Sequence, residues 1–495
     1  MKKLFLLSFL LLVLASATTY WSLPEQQSDR PIIYWAVQPD AGKKKMRGLF
    51  YRWREARGLP PVELRLDAAN RDKTKKMVQG VSGVGSDLID VWTGEMMPLQ
   101  SAGVLADITE AAKSYGVTPA ATYPGAASEL VVDERQYAFP RNVVATMIWV
   151  NRDVFDQYGI TPPPRRWTIE EFDRLGREFV QAANPPGRRD RVYFINQVPR
   201  LTLRRSLGVD MFNETLTRCT LDDPRNVEMM RYLRKWVIDD KMVPTREAEQ
   251  AFAADASGFR LRVSLFARGQ YAMLSLGRWA LILLRELPPV NLAVVEPFHG
   301  GFPNVDLAVG GVGVYAGSPH PEIASSFLGF LASEAFNMTV VESGDSLPPL
   351  PQYAQTEAFR RPPDHPNEWG THEVFAESAL SMGIGPPRSP FVLPSVFSRL
   401  ESDAYDSMVA GRISPEEAAR QAADRINREI EVSLEADPAL RSVYERGLAL
   451  QNKIDQARAA GRPVPESWIL NPYHRAYYRA QGWLTEAAEP LEGAL

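Results

Sequence analysis

The sequence predicts an α/β fold in two large lobes, on three observations. The chain has 495 residues, too many for one ordinary core, so two large units are expected. Hydrophobic residues make up 45% and charged residues 23%, the balance of a globular protein. Short strand-like runs alternate with segments carrying a helical apolar stripe, the order that gives parallel or mixed sheets covered by helices.

Before those elements comes MKKLFLLSFLLLVLASATTYW. Lys2 and Lys3, an apolar run from Leu4 to Leu14, and Ala15-Ser16-Ala17 follow the order of a secretory signal peptide. An uncleaved anchor, with Tyr20 and Trp21 at interfacial depth, is the alternative. Residues 1–17 are therefore expected to direct the protein to a periplasmic or extracytoplasmic location. Membrane contact is expected only through an uncleaved anchor. No cysteine follows the run, which rules out a lipobox, and the single Cys219 cannot form an internal disulfide. The formal net charge of −4 argues against a nucleic-acid partner.

In chain order, Ile32–Ala36 reads as a strand and Val62–Leu66 as a half-exposed one. Between them Met46, Leu49, Phe50 and Trp53 share a helix face, opposite a basic face of Lys43, Lys44, Lys45, Arg47, Arg52 and Arg54. That basic face reads as solvated surface, with phosphate or membrane contact as the alternative. Leu88–Trp92 is the next strand. Thr168 with Glu171 forms a capping box stapled by Trp167 and Phe172, and Ser414-Pro415-Glu416-Glu417 begins another helix. Ala419, Ala423, Ile426 and Ile430 then line one face, as do Ile323, Ala324, Phe327, Leu328 and Leu331 earlier. Proline-rich interruptions at 161–164, 347–351, 361–366 and 386–394 read as stiff turns. Beyond about residue 440 the aromatic Asn471–Tyr478 stretch is expected to dock on the body.

The five histidines, at 299, 320, 365, 372 and 474, stand singly, without metal-ligand spacing. There is no nucleophile elbow, Walker loop or dinucleotide fingerprint. No cofactor or metal is expected. Gly310-Gly311-Val312-Gly313 reads as a strand where two backbones or a ligand approach closely. Asp87, Asp90 and Glu95 are close in sequence, but glycoside hydrolysis needs opposed carboxyls whose separation a sequence does not reveal.

The stretch GQYAMLSLGRWALILL at 269–284 places Gly277-Arg278-Trp279 inside an apolar run. It resembles a segment of the extracellular solute-binding proteins of bacterial ABC sugar importers, the maltose-binding-protein-like family. Further motifs fall in that family's order: Asp90-Val91-Trp92 with Ser101–Ile108, Tyr137–Pro140 with Ile148–Phe155, Trp167–Phe172, Gly310–Phe330, and Ser414–Ala418. The resemblance runs from about residue 30 to 435. It implies a type II periplasmic-binding-protein-like fold, with lobes joined by crossing segments near Val143–Ile148, Glu296–Asp306 and Ser343–Leu350. Residues 30–144 plus 305–345 would form lobe 1 and 145–304 plus 346–435 lobe 2, leaving 436–495 as an extension of unknown role. The missing lipobox and the long tail depart from the family pattern.

The same resemblance implies a binding protein rather than an enzyme, a monomer that carries a carbohydrate to ABC permease subunits. A secreted carbohydrate-active hydrolase and a binder of a non-sugar solute are the alternatives. A neutral polyol needs aromatic faces for its C–H surfaces and planar polar groups for its hydroxyls. Arg278 and Trp279 are expected at the lip of the cleft, and Trp92 and Glu95 at the carboxyl end of a strand, where α/β ligands lie. The alternative for the first pair is that Trp279 caps a core and Arg278 pairs with an outer carboxylate. Arg141, Asn142, Gln38, Asp40 and Gly310 complete the candidate set.

Overall fold

Three parallel strands answer the strand patterning of the first hundred residues: β1 (Ile32–Ala36) lies between β2 (Glu63–Leu66) and β3 (Leu88–Trp92). This is seen in a computed structural model that describes residues 29–69, 72–252 and 258–485. Residues 1–17, read as signal or anchor, lie outside the described residues. Among the described residues no helix is long and apolar enough to cross a membrane.

Helix α1 (Ala41–Glu55) begins at Asp40, whose carboxylate accepts from the Lys43 amide at 2.7 Å and satisfies one donor of the open first turn. Met46, Phe50 and Trp53 are buried as their spacing predicts, with Phe50 and Trp53 packed on Phe330. Each such side chain contributes about 1.5–3 kcal/mol of burial. The basic face departs from the solvated expectation at two positions. Arg54 is buried, donating to the Pro60 carbonyl at 2.9 Å and to the Ser326 hydroxyl, because a cation in the last turn finds carbonyl acceptors just beyond the helix. Lys43 folds inward, its amine 5.9 Å from the Trp35 ring centre.

A mixed sheet runs β2-β1-β3 and on through β10 (Val305–Val314), β6 (Phe139–Asn151), β8 (Tyr271–Gly277) and β7 (Tyr193–Ile195). Its long member is β6 (Phe139–Asn151), and a hairpin of β4 (Val131–Val132) and β5 (Arg135–Gln136) precedes it. Along its first half β6 pairs antiparallel with β10 (Val305–Val314). Along its second half it pairs with β8 (Tyr271–Gly277) and β9 (Leu292–Val295). On the outer edge β7 (Tyr193–Ile195) runs parallel to β8, while β11 (Gly383–Ile384) runs parallel to β10. Val143 and Leu347 exchange backbone hydrogen bonds of 3.0 and 2.8 Å, so the segments expected to cross at 143–148 and 343–350 lie side by side.

Helix α3 (Ile169–Ala183) carries the predicted capping box, with Thr168 N donating to Glu171 at 2.7 Å and Glu171 N returning to Thr168 Oγ1 at 3.3 Å. The Trp167 and Phe172 rings are 5.6 Å apart. Helix α4 (Pro415–Ala436) starts at Ser414 and buries Ala419, Ala423, Ile426 and Ile430, as predicted. Cys219 is buried and unpaired, and burial pushes its thiol up to about 12.

The tail docks. Helix α5 (Pro438–Ala459), strand β12 (Val464–Pro465), helix α6 (Pro472–Ala480) and strand β13 (Leu484–Thr485) gather on the loop that carries Glu214. Gln451 and Arg458 donate to that carboxylate at 2.9 and 3.0 Å, as does the Tyr478 hydroxyl. Burial alone would raise the Glu214 carboxyl, but His474 and these donors hold it at about 2.

Candidate functional site

Strand register assembles most of the candidate residues. Trp92 on β3 pairs with Gly310 on β10, and Gly310 with Asn142 on β6, so the three stand in one row on one face of the sheet. Between Gly310 and Gly311 the register slips, leaving Arg141 as an extra residue on β6. Such a bulge turns a side chain out of its regular direction. Here it brings the Arg141 guanidinium over the Trp92 ring, 4.7 Å from its centre. Trp92 is 40% exposed while Arg141 is 9% exposed, so the ring presents its other surface to solvent from a fixed cationic base.

Gly310 is required by this packing. A methyl group there would sit 2.5 Å from Asn142 Oδ1 and 3.3 Å from the Arg141 guanidinium carbon. The close approach expected of the 310–313 glycines is thus real, and what comes close is the chain itself.

Beneath the ring lies a web of charge. Asp90 accepts from Trp35 Nε1 at 2.9 Å and lies 3.3 Å from Arg141 Nε. Asn142 donates to Asp345 at 3.1 Å, and Asp345 also accepts from the Ser346 amide at 2.7 Å. Lys43 faces the same cluster: burial and the positive charge of Arg141 lower its amine, against the pull of Asp90, Asp40 and Asp345. Asp40 is exposed and serves as the cap of α1, with exposed Gln38 two residues before it. Two buried atoms of the site have no hydrogen-bond partner, Arg141 Nε and Asn142 Oδ1.

Glu95 departs from its expected role. It is buried and held by Lys76 at 2.6 Å and Lys73 at 3.3 Å, and it accepts from the Trp92 amide at 3.2 Å. Its oxygens are spent fixing the turn after β3 and, with it, the base of Trp92.

Arg278 departs further. It is 1% exposed, and its hydrogen bonds end on the chain: Nε on His372 Nδ1 at 3.0 Å, the Nη atoms on the carbonyls of Asp345, Ser346 and Val341. Because Nδ1 accepts, the His372 proton sits on Nε2, 3.2 Å from Glu368. Glu368 takes two further bonds of 2.8 Å from Arg285. Burial lowers His372 to about 4, whereas Glu368 is held at about 2 by the donors that overcome its own burial. Arg278 is thus a buried tie on the segment that carries Asp345, bonded to His372 and backbone carbonyls rather than to an outer carboxylate.

Trp279 leaves the same turn in another direction. It is partly exposed, edge-on to Phe259 with centres 5.1 Å apart. A methyl group at Gly277 would meet both the Trp279 ring and Val144 at 2.8 Å. Val144 follows Asn142 by two residues on β6, so Trp92 and Trp279 stand on the same face of the sheet. They are separated by three strand spacings, on the order of 15 Å.

Lys43 and Asp345 escaped sequence reading. Lys43 belonged to a helix face rich in cations, and only the fold distinguishes the one lysine that turns inward. Asp345 lies inside the 343–350 segment, where a carboxylate in a loop is the available signal. Among the described residues no group of three or more metal-ligating side chains gathers.

A family model described as bacterial extracellular solute-binding protein matches residues 69–338, over half of the chain. An uncharacterized ABC transporter extracellular-binding protein of Pyrococcus horikoshii is 25% identical over 236 residues, 46% of this chain and 50% of that protein. The chain thus spans about half the length of that curated relative. Among solved structures, an ABC substrate-binding protein of Listeria monocytogenes in complex with cycloalternan superposes with a TM-score of 0.68 and 22% identity, covering 81% of this chain and all of that one. A solute-binding protein of Thermotoga lettingae bound to alpha-D-tagatose gives 0.64 and 16%, over 81% and 100%. A cyclo/maltodextrin-binding protein complexed with maltotetraose gives 0.63 and 19%, over 82% and 98%. These likenesses establish the fold as that of the type II periplasmic binding proteins, as the sequence predicts. With its mixed α/β sheet and the match across 69–338, the chain belongs to the bacterial extracellular solute-binding proteins.

Proposed function

We propose that this protein is the extracytoplasmic solute-binding subunit of an ABC importer, which takes a carbohydrate into an interlobe cleft and delivers it to membrane permease subunits. The observation that carries the reading is the half-exposed Trp92 ring, backed by Arg141 and set in one row with Asn142 and Gly310. A ring held this way offers a stacking face, and the amide beside it offers hydroxyl-pairing groups. The ligands of the similar structures, cycloalternan, alpha-D-tagatose and maltotetraose, are all saccharides.

In this reading residues 30–144 with 305–345 form one lobe and 145–304 with 346–435 the other. They close about the adjacent strands at 143–148 and 305–310 and the segment at 343–350. Trp92, Arg141, Asn142 and Gly310 form one wall and Trp279 flanks it, with Gln38 and Asp40 at the rim. Turning a mostly open population into a mostly closed one takes about 5.5 kcal/mol of differential affinity. Two or three charge-assisted hydrogen bonds of about 1.5–3 kcal/mol each supply that together with stacking. The protein acts as a monomer, exported through residues 1–17 without lipid attachment.

It binds without turnover. Asp87 accepts from Tyr34 N and Ser318, Asp90 from Trp35, and Glu95 is clamped by two lysines, so these carboxylates do not form the free opposed pair that glycoside hydrolysis requires. A thermal-shift screen of the purified protein against neutral and acidic mono- and oligosaccharides, with chromatography of the recovered ligand, tests the reading. Stabilisation by a saccharide recovered intact is the expected result. A cleaved product would make the protein a hydrolase, and stabilisation only by peptides or polyamines would remove the carbohydrate.

A further inference from the structure

The donors and acceptors of the candidate site do not balance. Asp90 is occupied by Trp35 and Arg141, Asp345 by Asn142 and the Ser346 amide, and Asp40 by the Lys43 amide. The carboxylates are already committed to the chain. The cations are less fully matched. Among the described residues no carboxylate oxygen lies within salt-bridge reach of the Lys43 amine, whose recorded contact is the Trp35 ring at 5.9 Å. The Arg141 guanidinium touches Asp90 on one edge at 3.3 Å, without a hydrogen bond from Nε, and stacks on Trp92. The acceptor left without a donor is Asn142 Oδ1, in a side chain that is 3% exposed.

We propose that the ligand is an acidic saccharide, a uronic acid or an oligosaccharide containing one, whose carboxylate is received by Lys43 and Arg141 while a neighbouring hydroxyl donates to Asn142 Oδ1. This rests on the carbohydrate reading above and narrows it. A carboxylate supplies the acceptors that the two cations lack, and the sugar ring beside it supplies a C–H face for Trp92. A monoanion is proposed rather than a phosphate dianion because Asp40, Asp90 and Asp345 also act on the Lys43 amine and oppose each negative charge brought in. The lowered Lys43 amine agrees with a cation waiting for a partner, since burial and Arg141 are its two leading causes.

Isothermal titration of the purified protein tests this with di- and trisaccharides containing glucuronate, galacturonate or mannuronate, each beside its methyl ester. The expected result is that one acid binds at least about tenfold tighter than its ester, the scale of one charge-assisted hydrogen bond, and that the difference shrinks as salt is raised. Lys43→Gln should erase the acid-over-ester preference without moving the apo melting temperature. Arg141→Lys should keep part of it, which separates loss of charge from loss of fold. Equal binding of acid and ester, or a preference that survives Lys43→Gln, overturns the acidic ligand and leaves the carbohydrate reading intact. Binding by neither series overturns the acidic ligand, and the carbohydrate reading falls with it only if the neutral saccharides also fail.

Discussion

Two arginine–tryptophan pairs, one adjacent in the sequence and one not, do opposite things in the fold. Arg278 and Trp279 are neighbours in the chain, yet their side chains part: the guanidinium goes inward to His372 and three carbonyls, and the ring outward toward Phe259. Arg141 and Trp92 are far apart in the chain, yet the sheet register and one bulge bring them to 4.7 Å. Adjacency in sequence says little about contact at a strand end, because successive side chains leave in different directions. Arg278 ties down the segment at 341–346, whereas Arg141 backs the ring of a half-exposed tryptophan.

The contrast breaks most sharply at Arg278. Arg278→Met should cost about 3–5 kcal/mol of unfolding free energy, since it strands His372 and the carbonyls of residues 341–346. Urea denaturation measures it, and a loss comparable to that of an exposed arginine would remove the tie. Trp92→Ala should do the reverse. Saccharide affinity should fall about 10- to 100-fold by titration, about 1.4–2.8 kcal/mol, while apo stability changes by less than about 1 kcal/mol. Loss of stability as large as that of Arg278→Met would make Trp92 a structural ring.

Acid sharpens the comparison from the buried side. His372 has a folded value of about 4, below its ordinary 6.5, so its neutral form contributes stability that is full above pH 6.5 and is lost as pH falls through about 4. Glu368, held at about 2, adds a contribution present above its ordinary 4.5 and lost as pH falls through about 2. Stability should therefore decline from pH 6.5 downward, by up to about 1.4 kcal/mol per pH unit for His372. His372→Gln should flatten the part between pH 6.5 and 4, and an unchanged slope in that variant would place the proton elsewhere. The smallest effect is expected in apo Trp279→Ala, about 1 kcal/mol or less, because its partner Phe259 is itself 53% exposed. The ligand-induced shift should shrink in the same variant, and equal losses with and without ligand would make Trp279 a core residue.

Legibility followed the range of the interaction. The capping box at Thr168, the buried face of α1 and the start of α4 at Ser414 were readable because their partners lie within one or two helical turns. The tail was expected to dock from its aromatics, but nothing in residues 436–485 named Glu214 as the anchor. For the candidate site residues the sequence gives the residue type but not the partner. Glu95 stands after β3 in the sequence, and only the packing of α2 (Lys73–Val81) alongside brings Lys76 to it.

By itself the sequence determined the local elements, the family order of motifs and therefore the type II fold, because propensity, capping and hydrophobic period act over a few residues. Which tryptophan is backed by a cation was decided by register and by one inserted residue on β6, and which lysine turns inward by the packing of α1 on the sheet. Those are long-range quantities. A slip of one position in a strand sends every following side chain to the other face, and no local pattern records where that slip occurs.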